Sequence, residues 1–434
     1  MKNSGVEWIG EIPEEWEISK TKYLTKLYTG NSIKDEEKDL YEDKADAIPY
    51  ISSKDINATF STTNYENGMY VKHSDNSFVR APAGSTLMCI EGGSAGKKKT
   101  FLNQEVCFVN KLCCFSPIKI DNKFLFYCLN SPNYEEEFRF NISGMIGGVS
   151  VGKLNQFILP KPPKETQQCI ASYLDKKCNK IEETIQNQQQ VIEKLKAYKQ
   201  SLITEAVTGK VKIENGKICG EYESYKDSGV EWIGKIPSGW TKQKLKFASQ
   251  IMRGLFSHRP RNDPDYYDGV HPFIQTGEVA RAVKYITTYS QTLNELGFSV
   301  SREFPAGTVL LTIAANVGDV AILDFNACFP DSVIGFYPKD NVSKVFLYYL
   351  LKSMKEQFMK NAIISTQMNL NINIVKEEFI PLPSLAEQKE IVKFLEKKSD
   401  YIDTAIEQKQ NLIEKLTEYK KSLIYECVTG KKEI

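Results

Sequence analysis

Five of the chain's seven arginines, Arg253, Arg259, Arg261, Arg281 and Arg302, fall within one stretch of 50 residues, while 49 lysines are spread over the whole length. A guanidinium is a planar fork of donors that pairs in two places with guanine O6 and N7, whereas an ammonium is a point charge and discriminates less. The clustering predicts base or backbone contact with nucleic acid by Arg253, Arg259 and Arg261, with His258 beside them and Arg281 further on. Gln275, Thr276, Asn316, Gln367 and Asn369 supply amides and a hydroxyl suited to base edges.

A second candidate is EGGSAGKKK at 91–99. A phosphate-binding P-loop needs a glycine five residues before its Gly-Lys, and Glu91 stands there instead. What remains is a glycine-rich loop expected to bring backbone amides and Lys97, Lys98 and Lys99 against phosphates. Ser52, Ser53 and Lys54 belong to another loop expected to contact the same partner.

Catalytic signatures are missing from the sequence. There is no NPPY or DPPY tetrapeptide, no glycine-rich cofactor loop after a strand and no G-x-S-x-G elbow. Pro264-Asp265 and Pro330-Asp331 are not followed at useful spacing by the Glu-x-Lys of a nuclease. Ten cysteines show no C-x-x-C spacing, and three histidines are too dispersed for zinc, so no metal site is expected. The residues predict a reader of nucleic acid that catalyses nothing itself.

The elements that must position these loops are written twice. SGVEWIGEIPEEW at 4–16 returns as SGVEWIGKIPSGW at 228–240, an offset of 224. PAGSTLMCI (82–90) matches PAGTVLLTI (305–313) at 223, and IEKLKAYKQSLITEAVTGK (192–210) matches IEKLTEYKKSLIYECVTGK (413–431) at 221. A drift of three residues over the whole length marks a tandem duplication. Each copy runs from a Trp-containing opening segment through strands and loops to a Pro-rich boundary and a long helix. The opening segments are expected to pin each chain start to its own core or helix base.

Both helices carry a heptad seam. Leu174, Ile181, Ile185, Ile192, Leu195 and Leu202 form it in the first, and Leu395, Ile402, Ile406, Ile413, Leu416 and Leu423 in the second. The seams are interrupted at equivalent places, by Gln188 and Lys409 and by Lys199 and Lys420. A helix alone would expose its seam, so the two are expected to pair as an antiparallel coiled coil. About 40 helical residues would span roughly 60 Å. The fold class expected is α+β. The expected division is a first variable domain at 1–160, a long helix and linker at 161–215, a second variable domain at 216–380 and a second long helix at 381–434.

The loops differ where the scaffold repeats. SSKD at 52–55 stands opposite QTGE at 275–278, EGGSAGKKK opposite AANVGD at 314–319, and SGMIGGV at 143–149 opposite STQMNL at 365–370. One frame with two sets of tips suits two different ligand sequences. A hydrophobic fraction of 41%, a charged fraction of 26% and a net charge of +1 predict a folded protein that binds polyanions only through local patches. No apolar run reaches the ~20 residues of a membrane span. No secretory signal is visible at the N-terminus, so a cytoplasmic location with reduced thiols is expected.

The WIGEIPEEW opening, the IEGGSAGK and FLNQEVCFVNKLCCF stretches, the STQMNLN loop before IPLPSLAEQ and the SLI..E.VTGK helix end together resemble the specificity subunit of type I restriction–modification enzymes. The resemblance covers essentially the whole chain. It departs at the first Pro-rich boundary, which reads PPKETQQ where the second reads PSLAEQK. The resemblance implies two target recognition domains, each reading half of a bipartite, asymmetric site on double-stranded DNA. It implies docking of two methyltransferase subunits and of restriction subunits. Those partners, not this chain, would hold S-adenosylmethionine, ATP and Mg. The competing expectation is a free-standing sequence-specific DNA-binding regulator.

Overall fold

The computed structural model describes residues 1–144, 147–314, 316–364 and 368–434. It divides into two compact units, 1–190 with 409–434, and 191–408. Neither division falls at a Pro-rich boundary; both fall inside a long helix, so each unit holds one recognition domain and half of each helix.

In the first unit, Lys99–Phe101, Thr86–Cys89, Leu112–Pro117 and Thr25–Thr29 form an antiparallel sheet in that order. Successive side chains of a strand point to opposite faces, and here both faces are covered. Met88, Cys113 and Phe115 pack toward helical residues such as Phe124 and Leu125. Leu87, Cys89, Leu112 and Cys114 pack toward Ile51, Val106 and Phe108 of a smaller sheet. Double burial explains why TLMC and LCCF read as unbroken apolar runs.

The second unit repeats the plan. Ser249–Arg253, Val333–Pro338, Val309–Thr312, Val320–Leu323 and Tyr285–Ile286 form a five-stranded sheet in that order, the last pair parallel. In both units one buried glutamine welds the recognition domain to the first turns of its long helix. Gln167 accepts from Asp121 N at 2.7 Å and donates to Pro162 O at 2.8 Å. Gln388 accepts from Ser343 N at 2.8 Å and donates to Asn341 O and Pro383 O at 2.9 and 3.0 Å.

The long helices run Lys164–Val207 and Leu385–Val428. Within the first unit their halves are antiparallel, because Glu182 pairs with Lys420 at 2.5 Å and Gln188 with Lys409 at 3.1 Å. Within the second, Lys199 meets Asp403 at 2.6 Å. That is 17 residues on from Glu182 along one helix and 17 back from Lys420 along the other, as an antiparallel register demands. Each polar interruption of the seam therefore has a partner across it, a device that fixes register at some cost in stability. Leu174, Ile181, Ile185, Ile192, Leu202, Leu395, Ile402 and Leu423 are buried, and Leu195, Ile406, Ile413 and Leu416 pack half-buried against the cores. The seam is not helix-to-helix throughout, since Leu174 and Leu395 belong to recognition-domain cores.

The opening segments correct one expectation. Trp8 does pack on its own domain, edge-on to Tyr134 at 5.7 Å. Trp16, however, lies against Gly430, at the end of the other copy's helix, where Lys431 Nζ donates to Ile9 O at 3.1 Å. In the second unit Trp240 lies against Gly209, and Lys210 Nζ donates to Ile233 O at 2.9 Å. Both glycines have left-handed φ, +69° and +72°, and end their helices with a backbone bond from the next residue to the carbonyl five back. A β-carbon on either would collide with Pro13 or Pro237. The repeated VTGK is thus a socket for the opposite copy's opening segment.

Candidate nucleic-acid interface

The divergent loops leave one edge of each sheet. In the second unit, register places the end of Ser249–Arg253, the turn from Thr312 to Val320 and the start of Val333–Pro338 side by side. In the first, Thr29, the turn from Cys89 to Lys99 and Leu112 hold the same places. The third loop is stitched to the second in each copy: Val149 N donates to Ile90 O at 3.0 Å, and Leu370 N to Ile313 O at 2.8 Å.

At the second edge the arginines converge on one acid. Arg253 Nε donates to Asp331 O at 2.5 Å, Arg259 Nη2 lies 3.4 Å from Asp331 Oδ2, and Arg261 Nη2 bonds Oδ1. Arg259 Nη1 also donates to Phe256 O and His258 O at 2.6 and 2.7 Å. His258 stacks on Tyr266 at 3.8 Å and bonds Asp263 at 2.9 Å, which holds its ring flat within the loop. Arg253, Arg259 and Arg261 are exposed despite these bonds. Asn316 and Asn369 are exposed on the neighbouring loops, joined by the Ala314–Asn369 bridge. Gln367 lies outside the described residues.

Thr276 and Arg281 belong to the short helix Thr276–Arg281, and Gln275 caps its start. Gln275 N donates to Glu278 Oε2 at 3.1 Å, closing the first turn, and its side-chain amide bonds Gln291. Arg281 is exposed and lies 3.1 Å from Glu278. Sequence reasoning set Pro330-Asp331 aside as a failed nuclease motif and missed Asp331 as the partner that Arg253 meets through its carbonyl and Arg259 and Arg261 through its carboxylate. No local signal connects residues some 70 positions apart.

At the first edge the lysine run divides. Lys97 and Lys54 are exposed, and Lys98 Nζ donates to Ser53 O at 2.6 Å, drawing the two loops together. Ser52 donates to Asp55 Oδ2 from both N and Oγ, at 2.8 and 2.7 Å, so it braces its own turn. Lys99 departs from the expectation of a phosphate contact. It begins a strand, is 1% exposed, and donates to Leu129 O at 2.8 Å and Glu135 Oε1 at 2.6 Å. Burial pulls its ammonium below the ordinary lysine range, with Glu135 opposing. Several of the loop's amides are also engaged: Gly92 N donates to Gly147 O and Gly96 N to Cys89 O, while Ala95 N and Lys97 N donate to Gly92 O and Ser94 O within the loop. Gly96 is needed because a β-carbon there would strike the Phe138 ring. The loop is a folded turn that carries Lys97 exposed to solvent.

The family model described as "Type I restriction modification DNA specificity domain" matches residues 13–194 and again 237–416. The chain belongs to that family. Its two matches fall on the two copies of the duplication, so the DNA specificity family supplies two tandem recognition domains here. Among relatives, the EcoBI specificity subunit of Escherichia coli is 24% identical over 411 residues, covering 91% of this chain and 81% of that protein. A MjaX specificity subunit of Methanocaldococcus jannaschii is 26% identical, with 91% and 89% covered. A solved chain from a study of assembly and conformational transition of the type I restriction–modification system superposes with a TM-score of 0.73 at 15% identity. It covers 97% of this chain and 100% of that one. The fold is shared even where the sequence has drifted.

Proposed function

We propose that this specificity subunit reads a bipartite, asymmetric site on double-stranded DNA, one half with each recognition domain. The observation that carries the reading is the repeated sheet edge. Equal frames present unlike loops, with Lys54 and Lys97 on one and Arg253, Arg259, Arg261, Asn316 and Asn369 on the other. Tandem readers on one duplex face half-sites about one helical turn apart, roughly 10 bp centre to centre. Lysines position the backbone, and arginine and asparagine forks read base edges.

The chain supplies no catalytic group. Two methyltransferase subunits dock on the paired frame and bring S-adenosylmethionine to an adenine flipped out of the duplex. Restriction subunits bring ATP, Mg and cleavage. The assembly works in the cytoplasm, on double-stranded DNA. Among the described residues no helix is long and apolar enough to cross a membrane.

The test is single-molecule mapping of N6-methyladenine in cells carrying the chain with its methyltransferase, and in cells lacking the chain. A split motif with an undefined gap, lost on deletion, is the expected result. Unchanged methylation beside an active methyltransferase would overturn the reading in favour of a free-standing regulator.

A further inference from the structure

The arginine cluster of the second recognition domain is already engaged by an internal anion. Asp331 sits on a turn fixed from every side. Val333 N donates to Pro330 O at 3.1 Å, Gly254 N to Val333 O at 2.9 Å, and Ile313 N to Ser332 O at 2.9 Å. Gly254 admits the turn because a β-carbon there would run into the carbonyls of Phe329 and Pro330. The acid is thus a rigid feature of the sheet edge. Arg259 and Arg261 reach it from the loop that follows Gly254, one on each carboxylate oxygen, while Arg253 takes the main-chain carbonyl.

A carboxylate offers a guanidinium two acceptors in one plane, as a phosphate does and as the O6 and N7 edge of guanine does. We propose that Asp331 is a specificity-determining residue that stands in for DNA in the free chain, holding Arg259 and Arg261 off the phosphate backbone until a matching base edge replaces it. The proposal rests on the DNA-reading function above and names how one half of the site is discriminated. Contact with an arbitrary phosphate exchanges one charge-assisted pair for another and brings Asp331 against like charge. Contact with a matched base edge adds paired hydrogen bonds in the groove, where no phosphate faces the acid.

The device belongs to one domain only. Pairing the two sheet edges strand by strand puts Asn110 in the place of Asp331 and Thr29 in the place of Arg253. The first domain presents neither the fork nor the acid.

The experiment uses the full chain assembled with its methyltransferase. Its probes are a short duplex carrying the mapped split site, single-base variants in each half, and a scrambled duplex. Asp331→Asn is expected to raise affinity for the scrambled duplex about tenfold at 0.1 M salt and to steepen the log–log salt slope by about 0.9, the effect of one more phosphate contact. The matched duplex gains less, so the ratio falls, and base preference loosens in the second domain's half-site alone. Asp331→Glu, which keeps the charge, returns the scrambled-duplex affinity toward wild type.

A merely structural acid would instead lower the unfolding midpoint and weaken all duplexes together. An unchanged scrambled-duplex affinity and slope, or equal loosening of both half-sites, overturns the proposal. Should Asp331→Asn fail to assemble, the double variant Arg259→Gln, Arg261→Gln decides. It must lose preference in that half-site, and retained preference overturns the assignment. A wild-type complex with no split site would show up before any substitution, and would remove the functional reading itself.

Discussion

The two recognition domains tie the same loop to the same helix with opposite charges. In the first, Lys99 reaches Glu135 on the helix Pro132–Phe140 at 2.6 Å. In the second, Asp319 reaches Lys355 on the helix Lys355–Lys360, also at 2.6 Å. Position for position the pairs are not identical. Met88 faces Lys99 where Leu311 faces Val320, so Val320 occupies the buried place of Lys99 and Asp319 lies one residue nearer the turn. Lys99 is 1% exposed, whereas Asp319 and Lys355 are 21% and 47% exposed. Duplication preserved the tether and let its electrostatics invert, because a tether needs complementary charge and not a particular sign. Burial then decides what each one is worth.

The largest difference between the copies should therefore appear on cutting the first tether. Lys99→Ala strands the Leu129 carbonyl and leaves Glu135 without its partner. Breaking a buried pair costs about 3–5 kcal/mol. The lower end is expected, about 3 kcal/mol, because Glu135 is 36% exposed and water can take it up. Unfolding of the full chain should show a unit melting roughly 6–12 °C lower. A loss under about 1 kcal/mol would mean that Lys99 is solvated, and would return it to the DNA-contacting set.

Where the copies agree, paired substitutions should agree too. Gly430→Ala and Gly209→Ala each force a β-carbon into left-handed backbone and into a proline of the docked opening segment. Each is expected to cost about 2 kcal/mol. Losses that differ widely in thermal unfolding would show that the two sockets are not equivalent.

How much of this was legible depended on distance along the chain. The duplication and the seams are periodic, and the structure keeps them; the Pro-rich stretches mark where the long helices begin, while the compact units divide further on, inside those helices. The polar interruptions at Gln188 and Lys409 were visible as interruptions, but only the register shows that they bond one another. Lys99 was hidden because three consecutive lysines give no sign of where a strand begins. Once it begins at Lys99, alternation sends that side chain inward. Asp331 and the crossed sockets were hidden for a deeper reason, since each joins residues far apart in sequence. Charge clustering marked the arginines, and the structure brings Arg253, Arg259 and Arg261 to Asp331 while Arg281 pairs with Glu278.

A further substitution sharpens the contrast at the interface itself. Lys97 is exposed beside the buried Lys99. Lys97→Ala should lower DNA affinity of the assembled complex by about eightfold at 0.1 M salt and flatten the salt slope by about 0.9. The change should be uniform across base variants, since a phosphate contact carries no sequence information. A loss confined to particular bases, in competition binding, would instead make Lys97 a base reader.

The smallest effect belongs to the second tether. Lys355→Met removes an ion pair whose members both meet solvent, and such pairs are worth about 0–1 kcal/mol. The methionine keeps the stem that packs beside Gly318, so a fall in midpoint of no more than about 2–4 °C is expected. The same logic predicts a rescue in the first domain. Replacing both members there, Lys99→Met with Glu135→Met, leaves no uncompensated charge, and swapping a whole buried pair for apolar groups is often neutral or stabilising. The second domain already carries Val320 at the buried position. The double variant should recover most of the ~3 kcal/mol lost by Lys99→Ala. If it does not, the Leu129 carbonyl, and not the charge, is what Lys99 is there to satisfy.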